Sequence, residues 1–390
     1  MKKFHWLIVT VAIALLAIAL GLGCGSTSSS GTSAADDDAS PADDDASPAD
    51  DDASPADDDA TTAAWVWTPV DGVICRDGSA TGYALRLQPG ATNLMIFLQG
   101  GGACYSPSSC SDNPAHFGES DFATWTTGTG AQGILNDQNA ANPVKDWNVA
   151  YVPYCTGDLH AGSKTNGAAP DVPGTQQFVG YQNIKKILAA LKVQFPEPSR
   201  ILLGGESAGG FGTVLNYAQT ARTWPTVPVA LLDDSGPLFS DQQVLAPCLE
   251  LLVTLLWDAD PVIADGCTSC FEAGGGMYSG WHKWLADTFP MGTFGLYSSM
   301  EDETIRSFFG IGQDNCTGTT DIPGDVYEQG LLDLRTLITP TKKWTTYYIP
   351  GDSHTATMED STFFGTTDDG VALSTWVGEL LTGVPGNVGP

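Results

Sequence analysis

The stretch Arg200-Ile201-Leu202-Leu203-Gly204-Gly205-Glu206-Ser207-Ala208-Gly209-Gly210 decides the fold. Arg200–Leu203 is a short apolar run of the kind that forms a buried strand. Gly205-Glu206-Ser207-Ala208-Gly209 is a G-x-S-x-G sequence, and a helix is predicted to open at Ala208 and run to Thr223. Strand, glycine-flanked serine and helix in that order form a nucleophile elbow: the glycines permit a sharp turn and the serine hydroxyl projects from the end of the sheet. A Gly-Ser turn that only caps a helix is the structural alternative. It needs neither the buried strand before the turn nor the glycines on both sides.

Outward from the elbow, short apolar and β-branched runs alternate with longer helical patterns. Strands are predicted at Gly82–Leu87, Asn93–Leu98, Asn148–Pro153, Arg200–Leu203, Val229–Leu232, Thr293–Ser298 and Trp344–Ile349. In Phe178–Phe195, Ile184, Ile187, Leu188 and Leu191 recur at helical spacing while Lys185, Lys186 and Lys192 fall off that stripe. Continuous apolar strands alternating with helices imply an α/β class, with a mostly parallel sheet covered by helices on both faces. Two Gly- and Cys-rich stretches, roughly 100–140 and 246–290, are too long for simple connections and are expected to be functional insertions.

A serine nucleophile needs a base, and the chain has five His. His354, in Pro350-Gly351-Asp352-Ser353-His354-Thr355, follows the last predicted strand and stands 147 residues after Ser207, the place expected of the base. His5, His116, His160 and His282 precede Ser207 or lie in insertions. The acid is expected after the preceding strand, where Glu301, Asp302 and Glu303 follow Thr293–Ser298; Asp302 is preferred. Glu301 remains an alternative, as do Asp233 and Asp234, although Asp233-Asp234-Ser235-Gly236-Pro237 also reads as a turn stitched by its own side chains. An oxyanion would be held by the backbone N–H of Ala208 together with the loop Gln99-Gly100-Gly101-Gly102-Ala103-Cys104. That glycine run lacks the Lys-Ser/Thr of a phosphate-binding loop and the third glycine of a dinucleotide turn. His160, in Cys155-Thr156-Gly157-Asp158-Leu159-His160-Ala161-Gly162, either touches substrate or packs its own loop. No cofactor and no metal ligand set is expected.

The N-terminus reads as an export signal. Lys2 and Lys3 precede an uncharged apolar run, Leu7–Leu22, too short for a spanning helix. Leu20-Gly21-Leu22-Gly23-Cys24-Gly25 resembles a bacterial lipoprotein cleavage site, with Cys24 as the lipidated residue of a membrane anchor; simple secretion is the alternative. Residues 25–62 form an Asp/Ala/Ser/Pro-rich linker. Twelve of the 46 acidic residues sit there in repeats of Ala-Asp-Asp-Asp-Ala-Ser-Pro, a solvated spacer that lacks the ligand pattern of a calcium loop. From residue 61 onward 34 acidic side chains face 14 basic ones, leaving −20 of the full charge of −30. That balance excludes a nucleic-acid partner, which requires clustered cations. With 42% apolar residues and 11 Trp, residues 63–390 are expected to form one catalytic domain, as a monomer. Beyond Cys24, eight Cys remain, consistent with up to four disulfides in an exported protein. Cys267-x-x-Cys270 is read as a disulfide, because neither a second C-x-x-C nor a paired-His motif accompanies it.

The segments Cys75-Arg76-Asp77-Gly78-Ser79, Gly82-Tyr83, Phe97–Cys104, Cys110, Tyr154-Cys155 and Gly205–Gly209 resemble the pectin acetylesterase/Notum family, in order, over residues 75–212. The resemblance implies an α/β-hydrolase fold with disulfide-bearing insertions and an O-deacylase with a Ser-Asp-His triad. By it, Ser207 is the nucleophile and His354 the base, while Gly101, Gly102 and Ala208 form the oxyanion hole. Cys104 and Cys110 would close a small loop beside that hole. Family members commonly carry Trp after the paired glycines, where this chain has Ala103. The expected function is a serine carboxylesterase that takes a small acyl group, acetyl, from an O-acylated carbohydrate. A lipid or long-acyl ester hydrolase and a non-catalytic carbohydrate-binding surface lipoprotein are the alternatives. Because the domain is acidic, anionic substrates are disfavoured.

Overall fold

The structure, a computed structural model, describes residues 64–239, 244, 249, 254–259, 267, 270, 280–314 and 317–390. The signal segment, Cys24, the linker, Cys248, Cys316 and most of Leu245–Trp257 lie outside the described residues. Eight strands form one sheet: β1 Trp65–Ile74, β2 Ala80–Arg86, β3 Leu94–Leu98, β4 Asn148–Val152, β5 Ile201–Glu206, β6 Val229–Asp234, β7 Thr293–Ser299 and β8 Trp344–Ile349. Their order is β1-β2-β4-β3-β5-β6-β7-β8. The six strands from β4 to β8 are parallel, and β1 and β2 form an antiparallel edge. All seven predicted strands are present. The edge strand β1 is additional; its side chains are mostly half-buried or exposed without regular alternation, a pattern too weak to stand out from sequence alone.

Strand periodicity explains why the central strands are apolar throughout. Along β3, Leu94, Ile96 and Leu98 enter one core, and Met95 and Phe97 enter the other. On the first face lie helices α1 Gly180–Gln194 and α2 Ala208–Thr223, whose Ile184, Ile187, Leu188, Leu191, Phe211, Val214 and Leu215 are buried. On the second face pack Trp376, Val377 and Leu380 of helix α6 Leu373–Leu380, together with Trp125. Three further helices, α3 Trp281–Thr288, α4 Glu303–Phe309 and α5 Gly324–Ile338, precede β7 or connect β7 to β8. No helix among the described residues is long and apolar enough to cross a membrane.

Disulfides join Cys75 to Cys155, Cys104 to Cys110, and Cys267 to Cys270. The first spans 80 residues and ties the turn after β1 to the end of β4. A closed loop of that length stabilises by about 4 kcal/mol in the chain-entropy picture.

Candidate active site

Ser207 sits between β5 and α2 with φ 52° and ψ −121°. A non-glycine residue in this region carries roughly 1–3 kcal/mol of backbone strain, which the surroundings hold in place. The Ser207 N–H donates to the Asp234 carbonyl at 2.7 Å, and the Phe211 N–H donates to the Ser207 carbonyl at 3.1 Å. The flanking glycines are required by close approach: a Cβ on Gly209 would collide with the Leu98 carbonyl oxygen, and one on Gly205 with the carbonyl oxygen of Gly209. The elbow is therefore wedged against β3, and the serine hydroxyl is left projecting from the sheet end.

His354, on the loop after β8, reaches that hydroxyl. Its Nε2 lies 2.8 Å from Ser207 Oγ, and its Nδ1 lies 2.8 Å from Asp302 Oδ2 and 3.1 Å from Oδ1. Asp302 is fully buried, whereas Glu301 and Glu303 face solvent. Of the three consecutive acids, Asp302 alone meets the imidazole. Its Oδ1 also accepts from the Ile305 N–H at 2.9 Å and caps α4, so the helix start orients the carboxylate. Burial opposes protonation of His354, but the hydrogen bond and charge of Asp302, with Asp234 and Glu206 beyond, outweigh it and raise the imidazole above its ordinary range.

Asp234 does not touch His354. Its Oδ2 accepts from the N–H of Ala356 at 2.9 Å and from the N–H and hydroxyl of Thr357 at 2.8 and 2.7 Å, while Oδ1 accepts from the Ser235 hydroxyl at 3.0 Å. It anchors the chain just past the imidazole. Asp233 closes its own turn by accepting from the Gly236 N–H at 2.8 Å. Both acids are thus used in stitching, the turn reading of that segment.

On the other side of Ser207, Gly101 and Gly102 have φ of 140° and 73° and are exposed. Ala208 is the first residue of α2, so its N–H has no acceptor within the helix. The Asn113 side-chain N–H donates to the Gly101 carbonyl at 2.7 Å. That carbonyl belongs to the same peptide as the Gly102 N–H, so Asn113 sets the direction of the amide. Asn113 is held in turn: the buried Arg76 guanidinium donates to the carbonyls of Asn113 and Cys110 at 2.6 and 2.7 Å and to Gln176 Oε1 at 2.9 Å. The Cys104–Cys110 disulfide closes this loop, as the family resemblance implied.

Of the two readings of His160, the geometry matches packing of its own loop. Its ring is 2% exposed, contacts the Gln99 carbonyl through Nε2 at 2.9 Å and packs on Tyr154 at 4.6 Å. Burial lowers its pKa to about 4, against the Gln99 carbonyl, which acts to raise it. The ring is out of a substrate's reach and packs beneath the glycine loop. Asn113, Asp234 and Glu206 were not singled out from sequence as supports. For Arg76 the resemblance marked the residue but not its task.

Comparison with known proteins gives the same architecture. A family model described as Pectinacetylesterase matches residues 56–250. The chain is 30% identical over 224 residues to the palmitoleoyl-protein carboxylesterase notum2 of Xenopus laevis, covering 52% of this chain and 44% of that protein. It is 30% identical over 184 residues to the palmitoleoyl-protein carboxylesterase NOTUM of Homo sapiens, covering 44% and 35%. The chain thus spans less than half the length of these relatives. A crystal structure of the Wnt deacylase Notum from Drosophila superposes with a TM-score of 0.56 at 18% identity, covering 82% of this chain and 95% of that one, which shows an α/β-hydrolase fold of Notum type. With a family model matching half its length, the chain belongs to the pectin acetylesterase/Notum family.

Proposed function

We propose that the protein is a serine carboxylesterase that removes a small acyl group, acetyl, from an O-acylated carbohydrate. The observation that carries the reading is the unbroken chain Asp302–His354–Ser207, with each contact at 2.8 Å. In this reading His354 Nε2 takes the proton from Ser207 Oγ as the oxygen attacks the ester carbonyl. Asp302 keeps the proton on Nδ1 and stabilises the imidazolium. The amides of Gly101, Gly102 and Ala208 receive the oxyanion. His354 then passes its proton to the leaving alcohol, and water, activated the same way, frees the acyl-enzyme.

Export to a membrane surface through a lipidated Cys24 completes the proposal. It is supported by the apolar leader and by disulfides of the kind found in oxidising compartments. The names of the relatives keep a second acyl class in view, a long-chain acyl on protein. Trp257, at the end of the apolar stretch Leu245–Trp257, is fully buried and donates its indole N–H to the Cys104 carbonyl at 3.1 Å. It supports the insertion and does not line a channel. A p-nitrophenyl ester series from acetyl to palmitoyl, with acetate release from acetylated polysaccharides, tests the reading. The expected result is a fall in kcat/KM with chain length and release of acetate; a preference for palmitoyl would replace the small-acyl reading with the other.

A further inference from the structure

Beside His354 lies a cavity of about 370 Å³ whose lining includes Glu206, His354, Thr355, Glu359, Thr129 and Gln132. We propose that this cavity is the subsite for the leaving alcohol and that Glu206 and Glu359 in its wall select an uncharged, polyhydroxylated alcohol over an anionic one. The proposal rests on the esterase reading and deepens it.

Its position follows from the proton path. The leaving oxygen must come within hydrogen-bond reach of His354 Nε2 to be protonated, while the carbonyl oxygen points to the amides after β3. β3 and β8 lie on opposite sides of β5 in the sheet, so the alcohol leaves toward the β8 side. The cavity opens there: His354 lines it, and Gly101, Gly102 and Ala208 do not.

Its lining matches a sugar. The Thr129 hydroxyl and the Gln132 amide can pair with a polyol, the hydroxyls of Ser353, Thr355 and Thr362, engaged with Ser299, Glu206 and the Ala356 carbonyl, keep lone pairs to accept, and the two glutamates accept from hydroxyls. No Lys or Arg is among the lining residues, so a uronate placed here would meet two carboxylates with no cation between them. Glu206 is the last residue of β5, fixed by the elbow, and is further held by the Gly100 N–H and the Thr355 hydroxyl; burial pushes its carboxyl up to about 7, with Asp234 acting in the same direction. The cavity is preformed. The Ile134 N–H donates to the Thr357 carbonyl at 2.7 Å and the Gly133 N–H to Asp360 Oδ1 at 2.7 Å, which joins the 100–140 insertion to the chain after His354.

The test compares two acetate esters that differ only at C6, a hydroxymethyl against a carboxylate: a monoacetylated methyl glucoside and the matching methyl glucuronide. The assays are run at about pH 8, above the pKa of Glu206. Wild-type kcat/KM is expected to favour the glucoside by about tenfold, with the difference in KM. The preference should persist in about 0.5 M NaCl, where repulsion by the distant net charge is screened. Glu206→Gln and Glu359→Gln should each reduce the ratio several-fold. Glu206 also acts on His354, but that effect reaches both substrates alike and cancels in the ratio. No preference in the wild type, a preference abolished by salt, or a ratio unmoved in both variants overturns the subsite. If Glu206→Gln does not fold, Glu359→Gln, an exposed position, decides the matter alone. Phenyl acetate is assayed alongside: its hydrolysis with a flat ratio defeats the subsite only, whereas no hydrolysis of phenyl acetate defeats the esterase reading with it.

Discussion

On the β3 side of Ser207, the glycine loop is pinned by a disulfide, a buried guanidinium and the Asn113 amide. On the β8 side, the groups that hold the imidazole and the backbone just beyond it are carboxylates, Asp302 and Asp234, while the turn before His354 is tied by the N–H groups of Glu301 and Glu303 to the carbonyls of Gly351 and Asp352. In the proposed reaction the first side presents backbone N–H groups, which need a rigid peptide. In the proposed reaction the second holds an imidazole that becomes cationic in the transition state, which needs anions nearby. Each side is built from the material its task requires, and each should therefore fail differently.

The largest effect is expected on the carboxylate side. Asp302→Asn keeps a side chain able to cap α4 but cannot stabilise the imidazolium, and kcat for p-nitrophenyl acetate should fall by about 10³–10⁴. Circular dichroism should remain that of the wild type. A loss of only a few-fold would mean that another carboxylate serves His354.

Asp234→Ala strands the N–H groups of Ala356 and Thr357 and releases the chain next to His354. Urea unfolding should show a loss of about 3 kcal/mol, because buried donors lose a charged acceptor. Activity should fall by about 10², less than for Asp302→Asn, since the triad atoms themselves remain. A stability loss with full activity would reduce Asp234 to a structural turn.

The β3 side should respond more gently. Asn113→Ala frees the Gly101–Gly102 peptide, and kcat should drop about tenfold at constant KM, a fraction of what deleting an oxyanion donor costs. A change confined to KM would move Asn113 out of oxyanion support.

The pH profile gives the smallest expected shift. His354 must be neutral to act as base, so kcat/KM should fall as pH drops through its pKa, which the surrounding carboxylates raise above the ordinary 6.5. In Asp234→Asn the midpoint should move down, because one of the raising charges is gone. An unmoved midpoint would show that Asp302 alone sets it.

Legibility in the sequence follows the same division. The elbow, the glycine loop and His354 are local patterns: a strand followed by glycines at fixed offsets, or a histidine after the last strand. They were readable because their chemistry demands backbone geometry that few residues allow. The acid is narrowed by sequence to a segment in which Asp302 is preferred, and what separates it from Glu301 in the structure is burial, which a run of three acids does not encode. Asn113 and Asp234 act through partners 12 and more than 120 residues away, so no local spacing announces them. His160 was ambiguous because a loop at the end of a strand can face the site or lie beneath it. Only the depth of its ring under Gln99 decides between these.

The central claim is that Ser207 is the nucleophile of a triad completed by Asp302 and His354. Fluorophosphonate labelling of the folded protein, with the modified peptide identified by mass spectrometry, tests it most directly. The modification should fall on Ser207, vanish in Ser207→Ala together with p-nitrophenyl acetate hydrolysis, and slow by orders of magnitude in Asp302→Asn. Labelling at another serine, or a Ser207→Ala variant that still turns over the ester at the wild-type rate, would contradict the account.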